Sequence, residues 1–141
     1  MKLSTKSTYG LRAMVNIATA GDENAVSIKE ISQAEGISSV YLEQLLNKLR
    51  RENLLKSVRG PAGGYRLSKS ASSITVGDIV KTLEGSITPV DCASGKEGWR
   101  SVCTKSRTCA AKTVWAKLAK AIDDCLESVT LADLCDKEIK R

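Results

Sequence analysis

Residues 37–66 constrain this chain more than any other stretch. They run Ile-Ser-Ser-Val-Tyr-Leu-Glu-Gln-Leu-Leu-Asn-Lys-Leu-Arg-Arg-Glu-Asn-Leu-Leu-Lys-Ser-Val-Arg-Gly-Pro-Ala-Gly-Gly-Tyr-Arg. Leu42, Leu45, Leu46 and Leu49 recur at the helical period and so share one face. Glu43, Gln44, Asn47, Lys48 and Arg51 are left on the other side. Ser38 or Ser39 can start this helix, because a hydroxyl accepts from an orphan backbone N–H. Leu54 to Arg59 is strand-like, and Gly60-Pro61-Ala62-Gly63-Gly64 must then turn. Tyr65 and Leu67 bring the chain back. A helix with a polar outer face followed by a basic hairpin is the outline of a winged helix-turn-helix. Such a helix enters the major groove of DNA, and the hairpin tip meets the minor groove or the backbone.

Charge separates this reading from an ordinary surface helix and hairpin. Between Leu45 and Lys69 lie Lys48, Arg50, Arg51, Lys56, Arg59, Arg66 and Lys69 against the single acid Glu52, a net +6 equal to that of the whole chain. A solvated face mixes signs, whereas a one-signed patch attracts phosphate.

At 141 residues the chain is one compact domain, or a small domain with a helical extension, and its 42% apolar content permits a true core. No apolar run approaches the ~18 residues that span a membrane, and the polar Met1–Ser7 segment reads as the start of the fold rather than a signal peptide. The expected location is the cytoplasm. Thiols are reduced there, so five cysteines point to metal or redox sensing before disulfides. Histidine is absent, which removes the commonest general base and nitrogen ligand. With no phosphate-cradling loop in a strand–helix context and no paired carboxylates in a recognisable site, no enzyme is expected.

In chain order, residues 5–20 form a first helix with the stripe Tyr9, Ala13, Met14, Ile17 and Ala18, stopped at Gly21. Lys2, Lys6 and Arg12 lie near its start, the first two within reach of phosphate. Ser27 and Glu30 have capping-box spacing for a short second helix from Ile28 to about Ala34, ended at Glu35-Gly36. Two helices about a tight Gly-containing turn complete the helix-turn-helix. Residues 68–74 read as a polar linker, and Thr75 caps a helix to Glu84 with Val76, Ile79, Val80 and Leu83 inward. Residues 86–110 are poor in large aliphatics beyond Ile87 and Val90 and hold Cys92, Cys103 and Cys109, as a functional loop would. Residues 110–128 read as a strong helix whose stripe Val114, Trp115, Leu118, Ile122, Cys125 and Leu126 continues to Val129. An apolar stripe outside a small winged domain needs a partner, so dimerisation is expected, with two half-sites on roughly palindromic DNA. Thr130 caps one last short helix.

Three stretches resemble the IscR-type winged-helix regulators (the Rrf-two superfamily, with NsrR-like and CymR-like relatives). They are Lys2-Leu-Ser-Thr-Lys-Ser-Thr-Tyr-Gly10, Gly36-Ile-Ser-Ser-Val-Tyr-Leu-Glu-Gln-Leu-Leu46 and Ser57-Val-Arg-Gly-Pro-Ala-Gly-Gly-Tyr65. Ile74-Thr-Val-Gly-Asp-Ile79, the cysteine loop, Val114-Trp115 and Thr130-Leu131 continue the likeness over essentially the whole chain. The resemblance implies a dimeric DNA-binding transcription factor, in IscR-type members modulated by a 2Fe-2S cluster on the loop cysteines. It places base reading on Ser38, Val40, Glu43 and Gln44. Gln44 both donates and accepts in the major groove, while Glu43 accepts from cytosine or repels phosphate at wrong sites. Relatives often carry serine where this chain has Val40, which suits a thymine methyl instead. Arg59, beside Gly60 at the wing tip, resembles the family's minor-groove arginine, drawn to narrow A/T-rich grooves. Ser4, Lys6, Tyr9 and Tyr41 are the implied phosphate contacts.

The pattern Cys92-x10-Cys103-x5-Cys109 is neither a ferredoxin nor a zinc-ribbon spacing, so ligand chemistry alone leaves an iron–sulfur cluster, zinc, a thiol redox switch or no metal open. The resemblance favours the cluster. The family's frequent fourth ligand, a histidine, is Lys112 here, and a protonated lysine has no lone pair to give. Asp91, Glu97, another cysteine or a partner-subunit group would have to serve. Cys125 is expected in the core and Cys135 as structural or incidental.

The expectation is therefore a mainly α fold with a small β-wing. A winged helix-turn-helix DNA-binding domain spans 1–67, linker and helix 68–85, a cluster loop 86–110, and a dimerisation helix with C-terminal segment 111–141. The expected function is a homodimeric repressor controlling iron–sulfur assembly or related stress genes. The alternative is a CymR-like repressor, without a metal cluster, controlled by a thiol switch or a metabolic-enzyme partner.

Overall fold

A computed structural model describes residues 2–94 and 103–136. Among them are six α-helices and one two-stranded antiparallel sheet. Helix α1 (Thr5–Thr19) starts on Ser4, whose hydroxyl accepts from the Lys6 N–H, and buries Ala13, Met14 and Ile17. Helix α2 (Ile28–Glu35) starts with the expected capping box: Glu30 N–H donates to Ser27 Oγ, and Ser27 N–H to Glu30 Oε2. Gly36 ends it at φ 66°, a left-handed conformation that a β-carbon disfavours, and Ser38 then caps α3 (Ser39–Arg51). Leu42, Leu45, Leu46 and Leu49 are all buried, so the inward face of α3 is the one its sequence period specified.

Strands β1 (Leu55–Val58) and β2 (Gly64–Leu67) pair from Leu55–Leu67 to Val58–Gly64 and make the wing. The wing has a third attachment that its own sequence does not announce. Val26 and Tyr65 exchange two backbone hydrogen bonds, each 2.8 Å, which tie β2 to the chain just before α2. Gly64 allows this approach, because any β-carbon there would strike the Val26 carbonyl.

Residues 68–74 are more than a linker. They contain a 3-10 turn, Ala71–Ser73, and end on Ile74, which is fully buried. Helix α4 (Val76–Glu84) has a capping box of Thr75 and Asp78 and places Ile79 and Leu83 in the same core as α1 and α3. Gly10 permits the close packing of α1 on α4, since a β-carbon there would collide with Leu83. After a short turn at Asp91–Ala93, helix α5 (Ala111–Glu127) runs out along the surface with no residue buried. Its end returns to α4: Val76 N–H donates to Val129 O and Leu131 N–H to Ile74 O. Helix α6 (Leu131–Cys135), capped by Thr130, packs on α1 and contributes the fully buried Leu131.

Cys125 departs from expectation. It stays on the apolar stripe of α5, where Ile122 and Leu126 are half-buried but Cys125 itself is exposed. Cys135 is half-buried against α1 and accepts from Thr19 Oγ1 at 3.7 Å.

Candidate nucleic-acid interface

Because the leucine face of α3 is buried, its opposite face is committed to the outside. Ser38, Val40, Glu43 and Gln44 are all exposed. Val40 is 68% exposed, a large apolar side chain on a helix face that is otherwise polar and that none of the described residues covers. Basic residues continue from the last turn of α3 into the wing: Lys48, Arg50, Arg51, Lys56 and Arg59 are exposed, and Arg66 is half-buried. The wing turn closes with Gly63 N–H donating to Gly60 O at 2.9 Å, leaving Arg59 and Gly60 exposed beside it. Tyr65 Oη reaches Asn47 Oδ1 at 3.5 Å, so the wing is joined to α3 as well as to Val26.

The start of α1 lies against the start of α3. Tyr41 Oη and Thr5 Oγ1 are 3.1 Å apart, and the Tyr9 and Tyr41 rings meet edge to face at 6.0 Å. Arg12 lies over the Tyr9 ring at 5.8 Å and pairs with Glu35 at 3.0 Å, while its other nitrogen donates to the Glu35 carbonyl. Its guanidinium, at the surface, is therefore engaged by Glu35 at the end of α2, and Lys6 is left exposed at the outer side of the α1 start. The tyrosines combine orientation with polarity: each is half-buried.

Ser4 has a fuller set of contacts than its sequence suggested. Its N–H and its hydroxyl both donate to Glu84 Oε1, at 2.8 and 2.6 Å, and Ser7 Oγ donates to the same oxygen at 2.7 Å. These hydrogen bonds from Ser4 and Ser7, with the nearby Lys6 charge, hold the Glu84 carboxyl below its ordinary value. A second polar joint fastens α5 to α4. Lys81 Nζ pairs with Glu127 at 2.7 Å and Asp123 at 3.1 Å, and Thr75 Oγ1 donates to Glu127 at 2.9 Å. The Glu127 hydrogen bond raises the Lys81 ammonium and, with Thr75, lowers the Glu127 carboxyl. Neither joint was read from the sequence. The available signal was Glu84 itself, an acid on the last residue of a helix, where the backbone dipole disfavours it.

The cysteines occupy three settings. Cys92 is half-buried in the short turn that packs on α5. Cys103 and Cys109 are exposed, the latter just ahead of α5, and all are free thiols. An open hollow of about 560 Å³ beside Cys109 is lined by Ser106, Arg107, Lys112, Thr113 and Ala116. Asp91 is exposed next to Cys92, and Glu97 lies outside the described residues. As ligands the three thiols fit an iron–sulfur group by chemistry. Among the described residues, however, no three cysteine, histidine or acidic side chains are gathered closely enough to hold a metal ion.

Comparison with known proteins agrees with this architecture. Residues 3–137 match the family model Rrf2, described as an iron-dependent transcriptional regulator. The protein rrf2 of Nitratidesulfovibrio vulgaris is 42% identical over 134 residues, which is 95% of this chain and 87% of that protein. The structure of CymR, the global cysteine regulator of B. subtilis, is similar with a TM-score of 0.79 at 38% identity, covering 97% of this chain and 98% of that one. The structure of T. potens IscR is similar with a TM-score of 0.77 at 39% identity, covering 98% and 88%. On its sequence and its winged-helix fold alike, the chain belongs to the Rrf2 family of transcriptional regulators.

Proposed function

We propose that this chain is a cytoplasmic, homodimeric repressor that binds specific double-stranded DNA under the control of a 2Fe-2S cluster. In this reading Cys92, Cys103 and Cys109 hold the cluster, and the genes controlled serve iron–sulfur assembly or related stress. The chain itself performs no catalysis. The observation that carries the DNA-binding part is the exposed outer face of α3 joined to a basic wing. Gln44 and Glu43 face base edges in the major groove, Val40 packs on a thymine methyl, and Ser38 lies at the groove-facing start of the helix. Arg59, next to Gly60, enters an adjacent minor groove. Ser4, Lys6, Tyr9 and Tyr41 belong to the phosphate side. The unpartnered stripe of α5 supports the homodimer: Val114, Trp115 and Leu118 are 58%, 38% and 40% exposed in the single chain. Residues 1–67 act as the DNA-reading unit, 68–85 as its link, 86–110 as the sensing loop and 111–141 as the dimer element.

The cluster would supply a group whose presence tracks iron supply and oxidant exposure. The protein would contribute the thiols of Cys92, Cys103 and Cys109. The test is anaerobic purification with a visible spectrum and iron and sulfide counts, repeated on Cys92→Ala, Cys103→Ala and Cys109→Ala. About two iron and two sulfide per chain, lost in the variants together with a change in DNA-site preference, is the expected result. Equal DNA binding with and without the cluster refutes control by it.

A second reading keeps the repressor and replaces the cluster by a thiol switch or a metabolic-enzyme partner, as the CymR likeness suggests. The exposure of Cys103 and Cys109, which opens both thiols to oxidants, favours it. Colourless protein that resists reconstitution but changes DNA affinity on thiol oxidation would select this reading.

A further inference from the structure

Ser7 is the buried polar residue of the described core, only 3% exposed, and its hydroxyl donates to one oxygen, Glu84 Oε1. The same oxygen receives the N–H and the hydroxyl of Ser4, the residue that caps α1. Helix α1 has no acid in its own first turn. Glu84 therefore supplies from another helix the negative charge that a helix N-terminus favours, and in doing so sits at the end of α4, where the dipole of its own helix opposes it. Close packing of Gly10 on Leu83 sets the two helices next to each other at the same place. Lys6 lies one turn-residue beyond this joint, and its backbone N–H donates to Ser4 Oγ. The hydrogen bonds thus run from Glu84 through Ser4 to the backbone of Lys6.

We infer that Glu84 is a positioning residue for DNA binding, holding the first turn of α1 so that Lys6 meets the phosphate backbone. This rests on the DNA-binding function proposed above and adds to it the residue that sets the phosphate contact. It gives Glu84 an unusual sign. A carboxylate near DNA repels phosphate, so its removal should tighten binding if charge alone mattered. A positioning carboxylate behaves the other way, because losing it frees the turn that bears the cation.

Two conservative substitutions separate reach from charge. Glu84→Asp keeps the charge and withdraws the oxygen from Ser4 and Ser7 by one methylene. Glu84→Gln keeps an acceptor oxygen at full reach and removes the charge. DNA affinity is measured for both against salt concentration, with thermal unfolding of each variant as the check on folding. Glu84→Asp should weaken binding about five- to tenfold and lower the slope of log affinity on log salt by about one per chain, the signature of a lost phosphate contact. Glu84→Gln should restore the wild-type slope. In combination with Lys6→Ala, Glu84→Asp should add nothing further, because both remove one contact. A Glu84→Asp protein with wild-type slope, or effects of the two substitutions that simply add, overturns the inference while DNA binding stands. If the wild-type chain shows no salt-dependent DNA affinity, the functional reading fails first.

Discussion

Truncation of Trp115 on α5 tests how this chain uses its long surface helix. Trp115 is 38% exposed in the single chain. An indole offers up to about 250 Å² in total, so roughly 95 Å² remains to be covered by a partner. At about 25 cal/mol per Å² that area is worth roughly 2 kcal/mol per copy. A two-fold interface counts each residue twice, so Trp115→Ala should cost a dimer about 4 kcal/mol, close to three orders of magnitude in its dissociation constant. Trp115 is absent from the core cluster shared by α1, α3 and α4, so unfolding of the isolated chain should hardly change. Sedimentation velocity over a concentration series, nanomolar to tens of micromolar, reads the shift directly. A wild-type chain that stays monomeric at tens of micromolar refutes the reasoning, and so does a variant that dimerises as well as wild type.

Arg59→Ala should cost about 1–3 kcal/mol of DNA affinity and flatten the preference for A/T-rich flanks; an equal loss on every sequence would instead mark Arg59 as a phosphate contact. Gly64→Ala should destabilise the fold by more than the ~1 kcal/mol of an ordinary glycine replacement, because the new methyl meets the Val26 carbonyl, and loss of slow amide exchange at Tyr65 would locate the damage. Acid should loosen both polar joints of α4. Glu84 and Glu127 lie below their ordinary 4.5 when folded, so their contribution is complete above pH 4.5 and disappears as pH falls through the lowered folded values. Lys81 is raised above 10.5, so its contribution is complete below that pH and is lost as pH rises through the folded value. A Lys81→Met, Glu84→Gln double variant should unfold with a flatter dependence on pH at both extremes, measured by chemical denaturation.

The sequence made the winged unit legible where local rules govern. Leucine spacing specified the buried face of α3, and Ser27, Thr75 and Thr130 marked helix starts that the structure places at those residues. What escaped was non-local. Val26 pairs with Tyr65 through backbone atoms, which carry no side-chain signature. Ile74 ends a run rich in serine, so composition made a linker of a segment whose last residue is in the core. The stripe of α5 was correctly read as apolar, but burial of Cys125 did not follow, because periodicity says which face is apolar and not what covers it. For the candidate interface, polarity and charge located α3 and the wing. The tie between Ser4, Ser7 and Glu84 joins residues 77 or more positions apart, beyond the reach of any local pattern.

The packing of α6 on α1 sets a condition on biosynthesis. Thr19 and Cys135 touch although 116 positions separate them, and Leu131 fills the core that Met14 and Ile17 began. A ribosome releases the chain from its N-terminus, so the apolar stripe of α1 emerges long before the helix that completes its cover. A nascent chain paused before Leu131 emerges would leave bare the part of that stripe which α3 and α4 do not cover, and offer it to chaperones. The first helix of the chain thus waits for a segment more than a hundred residues downstream before the last of its cover is in place.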